Sequence, residues 1–156
     1  MQIPDYRNLK HQDLNSLKSL AQQIRGYILE SVHNQGGHVA SNLGVVEITL
    51  GIAKVFDLDQ DAIIFDTSHQ SYTYKLLTGR SEYLPTIRTL GGLSGFTDPV
   101  ESIYDKYYAG HAGTGLSLAY GEAMARKLKG TPGRVLAVVG DGALTNGISY
   151  EGLNNI

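Results

Sequence analysis

The chain has 156 residues, 42% of them hydrophobic, which is enough to build one domain around a buried core. A net charge of −2 offers no basic surface for nucleic acid or an anionic membrane. No run reaches the about 20 apolar residues of a transmembrane helix, and the absence of cysteine excludes disulfides, thiolate metal sites and cysteine nucleophiles.

The opening stretch, residues 1–7, carries no apolar signal region, so a cytoplasmic location is expected. Apolar residues then recur at helical spacing from Leu14 through Leu17, Ala21, Ile24 and Ile28. This predicts an amphipathic helix of about five turns, capped by Asp13 and ended before Gly36 and Gly37. A second helix is predicted over about 43–55, with Leu43, Val46, Leu50 and Ala53 on one face and Ser41 or Asn42 as its cap. Residues 62–65, Ala-Ile-Ile-Phe, are apolar without alternation, the pattern of a buried parallel strand. A short helix near Gln70 to Thr78 closes at Gly79.

Residues 91–105 have no period and are expected to form a long mobile loop, with an ordered loop packed through Leu93, Phe96, Val100 and Ile103 as the alternative. A helix follows over about 115–128 and stops at Gly130. Residues 134–139 form the clearest buried strand, which runs into Gly140-Asp141-Gly142, and a last helix begins near Thr145. Strands alternating with helices predict an α/β fold in which a parallel sheet is flanked by helices on both faces. Charged residues make up only 18%, from which a surface much of which is covered by something else is expected. Two strands are few for such a sheet, so the chain is expected to be an incomplete part of a domain.

In open parallel sheets, ligands bind beyond the carboxyl ends of the strands. Residues 66–70 and 140–143 occupy such ends. Glycines on both sides of Asp141 allow close approach of a ligand. The start of a helix there offers N–H groups to a phosphate, and the carboxylate can hold a hard cation such as Mg²⁺. The plain alternative, a turn in which Asp141 caps the helix, weighs about equally on these residues alone. His38, His69 and His111 each sit at a turn before a helix, among small residues. Singly, each reads as a turn histidine bonded to backbone; together with the Asp-Gly turn they favour anion contact and proton transfer. P-loop, nucleophile-elbow and H-E-x-x-H motifs are absent.

Residues 36–47 (Gly-Gly-His38 through Glu47), 65–72 (Phe65 through Tyr72), 75–80, 91–97 and 140–145 carry a resemblance. In that order they resemble the 1-deoxy-D-xylulose-5-phosphate synthase family, thiamine-diphosphate enzymes related to transketolase. The resemblance runs from about residue 7 to 156 and implies the N-terminal part of a pyrophosphate-binding domain, residues 1–156 here, with the remaining domains absent from this chain. It implies condensation of pyruvate with glyceraldehyde 3-phosphate to 1-deoxyxylulose 5-phosphate and carbon dioxide, the product feeding isoprenoid, thiamine and pyridoxal synthesis. The implied cofactors are thiamine diphosphate and Mg²⁺, in a cytoplasmic homodimer.

Residue by residue, the resemblance implies Asp141 as the Mg²⁺ ligand and Gly142 and Ala143 as backbone contacts to the diphosphate. Gly110, His111 and Ala112 match the cofactor segment. His38, Ser41 and His69 fall among residues around cofactor and substrate, with His38 and His69 as proton-moving groups. Arg88 matches an arginine that pairs with a substrate carboxylate or phosphate.

The chain departs from the family in three places. Ser68 and Ala112 each stand in a segment where the family shows another residue, glycine before the histidine and serine after it. Thr97-Asp98-Pro99-Val100 and Ile103 replace basic residues and a glutamate. The last departure leaves open a paralogue with another donor or acceptor, or a non-catalytic cofactor binder. The family's second metal-binding asparagine and its activating glutamate have no counterpart among these residues, so the 156 residues alone are expected to be inactive.

Overall fold

The computed structural model describes residues 3–156; Met1 and Gln2, the first two residues of the stretch without a signal region, lie outside the described residues. The chain divides into two compact units. One holds residues up to 56 together with 69–95, the other 57–68 together with 96–156.

The first unit is helical. Helix α1 (Leu14–Gln35) begins at Asp13, whose carboxylate accepts the Ser16 N–H at 2.7 Å, and ends at Gly36 with φ +77°. That hydrogen bond holds the Asp13 carboxyl below its ordinary range. The buried stripe starts at Leu20 and continues through Ala21, Ile24, Ile28 and Val32, so Leu14, placed on that face by its spacing, is exposed instead.

The second predicted helix is two. Helix α2 (Ala40–Leu43) is a single turn, and Gly44 and Val45 separate it from α3 (Val46–Val55). Ser41 and Asn42 therefore lie inside α2 and cap nothing, while α3 starts at Val45 without a side-chain cap. Val46, Leu50 and Ala53 are buried as the spacing requires. Arg25 of α1 grips Glu47 of α3 bidentately, at 2.6 and 2.5 Å, and donates to the Leu43 carbonyl at 3.2 Å. The ammonium of Lys54 ties α3 to the N-terminal segment through the carbonyls of Leu9, Lys10 and Gln12.

Helix α4 (Tyr72–Lys75) runs into a widened turn over Leu76–Arg80 and a 3₁₀ segment over Ser81–Thr86. Gly79, at φ +86°, breaks the helical path as anticipated, but the chain re-enters a helical turn directly after it. Tyr72, Leu76, Leu77 and Leu84 are fully buried there.

The second unit contains a parallel two-stranded sheet. Strands β1 (Ala62–Phe65) and β2 (Val135–Val138) pair in register from Ala62 opposite Val135 to Phe65 opposite Val138. Helix α5 (Gly115–Lys129) packs on both strands, and Gly130 ends it in the left-handed region at φ +65°. Short α6 (Asp141–Leu144) and α7 (Gly147–Asn155) follow β2, and α7 packs on α5. The α/β class and the parallel pairing agree with the periodicity. The burial of β2 does not: β1 is buried at every position, whereas β2 is half-exposed throughout. Among the described residues each strand has one hydrogen-bonded neighbour, so the difference lies in what packs on the faces of β2, not in strand pairing.

At the start of the sheet, the buried Asp61 carboxylate accepts the backbone N–H of Asp57 and of Arg134 and the Arg134 guanidinium. Burial alone would push this carboxyl up, but the bonds from Arg134 and Asp57 leave it below its ordinary value. Residues 98–105 form turns held by the Asp105 carboxylate, which accepts the Asp98 N–H at 2.8 Å, and by the Asp98 carboxylate, which accepts the Val100 N–H at 2.8 Å. Val100 and Ile103 are about 80% exposed, so packing through those two side chains is not what orders the segment.

Candidate functional site

The predicted site residues fall into two clusters, one in each unit. In the helical unit, His38 lies in the loop between α1 and α2, and His69 precedes α4. Their rings meet edge to face with centroids 5.1 Å apart. The Tyr72 phenol, fully buried, accepts the His38 backbone N–H at 3.4 Å and stands 3.5 Å from His38 Nδ1, a long contact. Gly37, at φ +148°, is required here, because a Cβ on it would lie 2.9 Å from the Tyr72 hydroxyl. His69 Nδ1 is buried with no hydrogen-bond partner among the described residues.

Burial lowers the His38 pKa below 6.5, and His69 and then Arg88 push it further in the same direction. His38 is therefore a neutral imidazole at physiological pH. Burial raises the Tyr72 phenol above its ordinary value, so it stays protonated. Arg88 is exposed and adopts φ +62°, a conformation uncommon for a residue with a Cβ. Its backbone N–H donates to the Leu93 carbonyl at 2.6 Å, and its aliphatic stem crosses Gly95, where a Cβ would lie 3.1 Å from Arg88 Cγ. Such an outlier, sustained by its surroundings, is the kind of strain that accompanies a functional position. Ser41 is half-buried at the second position of α2 and takes no part in these contacts.

Asn42, read from the sequence as a possible cap, is the hub of this cluster. It is completely buried, and its amide donates to the carbonyls of His38 (2.7 Å) and His69 (2.8 Å) while its oxygen accepts the Tyr72 N–H at 2.9 Å. The spacing that suggested a cap gives no hint of partners 27 and 30 residues away.

In the sheet unit, Asp66 follows β1 and is 1% exposed. Its carboxylate accepts the N–H of Gly113 at 2.8 Å and of Gly115 at 2.9 Å, and so sets the course of the Gly110–Gly115 segment into α5. Gly115 has no room for a side chain: a Cβ would stand 2.8 Å from Asp66 Cβ. Gly113, at φ +95°, faces Asn146 at 2.9 Å in the same sense. After Asp66, Thr67 and Ser68 both take positive φ, and Ser68 Oγ accepts the Thr97 N–H at 2.9 Å. His111 and Ala112 are exposed and Gly110 is half-buried.

Beyond β2, Gly140 precedes Asp141, the first residue of α6. Asp141 and Gly142 are exposed and Ala143 is buried. Because α6 has four residues, the strong dipole expected of a long helix at this turn is absent. What remains is the set of first-turn N–H groups, which have no intrahelical acceptor, beside an open carboxylate.

A parallel pair of strands, each ending in a polar turn, the second flanked by Gly140 and Gly142, defines an α/β protein with its candidate ligand groups at the strand ends. The chain belongs to the 1-deoxy-D-xylulose-5-phosphate synthase family, whose N-terminal model matches residues 1–156. It is 52% identical over 150 residues to the 1-deoxy-D-xylulose-5-phosphate synthase of Dictyoglomus thermophilum, covering 96% of this chain and 24% of that protein. The synthases so named from Clostridium kluyveri and Acidobacterium capsulatum are 49% and 52% identical, over 97% and 96% of the chain and 24% of each relative. The chain thus spans about a quarter of the length of the curated relatives it matches. No helix among the described residues is long and apolar enough to cross a membrane.

Proposed function

We propose that this chain supplies the N-terminal, pyrophosphate-binding part of a transferase that joins pyruvate to glyceraldehyde 3-phosphate. The reaction forms one carbon–carbon bond, giving 1-deoxy-D-xylulose 5-phosphate, and releases carbon dioxide. The observation that carries this reading is the family match over the whole chain. The cofactors are thiamine diphosphate and Mg²⁺, and the enzyme works as a cytoplasmic homodimer on these small-molecule substrates, with no nucleic acid or membrane partner.

The described residues offer a partial fit to a diphosphate-bound cation. Asp141 is exposed, its carboxylate makes no hydrogen bond among the described residues, and the first-turn amides of Gly142 and Ala143 adjoin it. No group of three or more acidic, imidazole or thiol side chains converges among the described residues. Asp141 would hold the Mg²⁺, with its other ligands coming from the cofactor and from residues outside this chain. On the family resemblance, Gly110, His111 and Ala112 would contact the cofactor. When bound, thiamine diphosphate supplies the electron sink for pyruvate decarboxylation and for bond formation.

The protein's own part is binding and proton handling. Arg88, positively charged and exposed, pairs with a substrate carboxylate or phosphate. His38, neutral because burial disfavours its charge, accepts a proton on its imidazole, and His69 moves one during ligation or release. The Asp98 carboxylate favours a second reading with a different sugar-phosphate acceptor, since it is spent on the Val100 N–H in a stretch where the resemblance implies basic side chains. Mass-spectrometric product analysis of the complete enzyme with pyruvate and glyceraldehyde 3-phosphate separates the readings. Cofactor binding without turnover of any acceptor would leave only a non-catalytic binder.

A further inference from the structure

The arrangement around Asn42 reaches beyond the residues assigned so far. An asparagine amide has two N–H donors and one oxygen. In this side chain all three groups are matched to backbone: two part-buried carbonyls on the nitrogen side and one buried N–H on the oxygen side. The opposite amide orientation would set the oxygen against two carbonyl oxygens and the NH₂ against an N–H, so only one orientation satisfies the site. The two carbonyls belong to His38 and His69, the residues whose imidazoles meet at 5.1 Å, and the N–H belongs to Tyr72, whose hydroxyl reaches back to His38. One uncharged side chain therefore joins the loop before α2, the segment before α4 and the first turn of α4.

We propose that Asn42 is a positioning residue that sets the mutual placement of the His38 and His69 imidazoles. The proposal rests on the reading of those histidines as proton-moving groups. Its physical content is that the backbone carrying each ring is anchored to the same amide. Neither imidazole can then shift independently while Asn42 keeps its three bonds. Leucine, similar in volume, fills the space but anchors nothing. Aspartate keeps the acceptor toward Tyr72 but replaces two donors by an oxygen facing two carbonyls, which repels both segments. The groups facing His38 are His69, Tyr72 and Arg88, so a displaced His38 titrates in a different field even when the fold survives.

The test uses ¹⁵N-histidine spectra and steady-state kinetics of the complete enzyme and of its Asn42→Asp and Asn42→Ser variants. In the unaltered protein, ring protons of His38 and His69 should show a mutual Overhauser effect, and both Asn42 side-chain amide protons should resist exchange with solvent. Asn42→Asp should lose the ring–ring effect and move the His38 titration upward. It should lower kcat at least tenfold with a smaller change in KM, while Asn42→Ser, retaining one donor, recovers part of each. A folded Asn42→Asp variant with unchanged ring–ring effect and unchanged His38 titration would overturn the proposal. So would rapid exchange of the Asn42 amide protons in the unaltered protein, a measurement that stands if the variants fail to fold. Absence of synthase activity in the unaltered enzyme would refute the assigned reaction while leaving the spectroscopic outcome to decide the role of Asn42.

Discussion

Replacing Asp66 by alanine tests whether one buried carboxylate shapes the glycine-rich segment. Its two oxygens accept the N–H groups of Gly113 and Gly115 at 2.8 and 2.9 Å, and both glycines are buried. Asp66→Ala leaves those donors unsatisfied where water has little access. Each buried orphan costs about 1–3 kcal/mol, so the pair costs roughly 2–6 kcal/mol before relaxation. At about 2–4 °C per kcal/mol for a domain of this size, Tm should fall by several degrees at least. Urea unfolding of the complete enzyme measures the loss, and hydrogen exchange locates it: the amides of Gly113 and Gly115 should lose protection first. Gly115→Ala is the converse perturbation, because its Cβ would press on Asp66 from 2.8 Å. It should release the same two amides while keeping the carboxylate. A destabilisation under about 1 kcal/mol for Asp66→Ala, with Gly113 and Gly115 still protected, would refute the reasoning.

Asp141→Ala should abolish Mg²⁺-dependent binding of thiamine diphosphate in calorimetric titration, since no second carboxylate among the described residues joins it; unchanged affinity would remove its role as metal ligand. His38→Ala and His69→Ala should each lower turnover at least tenfold, about 1.4 kcal/mol of barrier, with little change in Tm; a variant that unfolds yet keeps its specific activity would mark a structural histidine. The His38 pKa is lowered in the fold, so its contribution to stability is complete above about 6.5 and is lost as pH falls from there through the folded value. The acid limb of kcat/KM should lie below 6.5 and move partway up in Arg88→Gln, which removes one of the charges that lower it but leaves the larger effect of burial. Residues 91–105 should become more protected from hydrogen exchange when a stable pyruvate analogue binds, and full protection without ligand would exclude a closing segment.

Local chemistry determined much of this protein. Period 3.6 marked α1, and apolar runs marked both strands. Asp13 and Gly130 set their helix ends through bonds to residues no more than four positions away. The Asp-Gly turn after β2 and the turn histidines were visible for the same reason, being properties of adjacent residues. Tertiary structure alone decided what depends on partners far apart in the chain. Val45 follows a helical pattern in sequence, yet the chain breaks there and buries Asn42, whose hydrogen bonds to residues 69 and 72 replace any capping role. Asp66 was seen as a strand-end polar residue, but its hold on Gly113 and Gly115 spans 47 and 49 residues. The apolar run in β2 promised burial, but hydropathy reports only what a segment would bury. How much it does bury is set by the neighbours the fold brings against it, and for β2 these are β1 on one edge and α5.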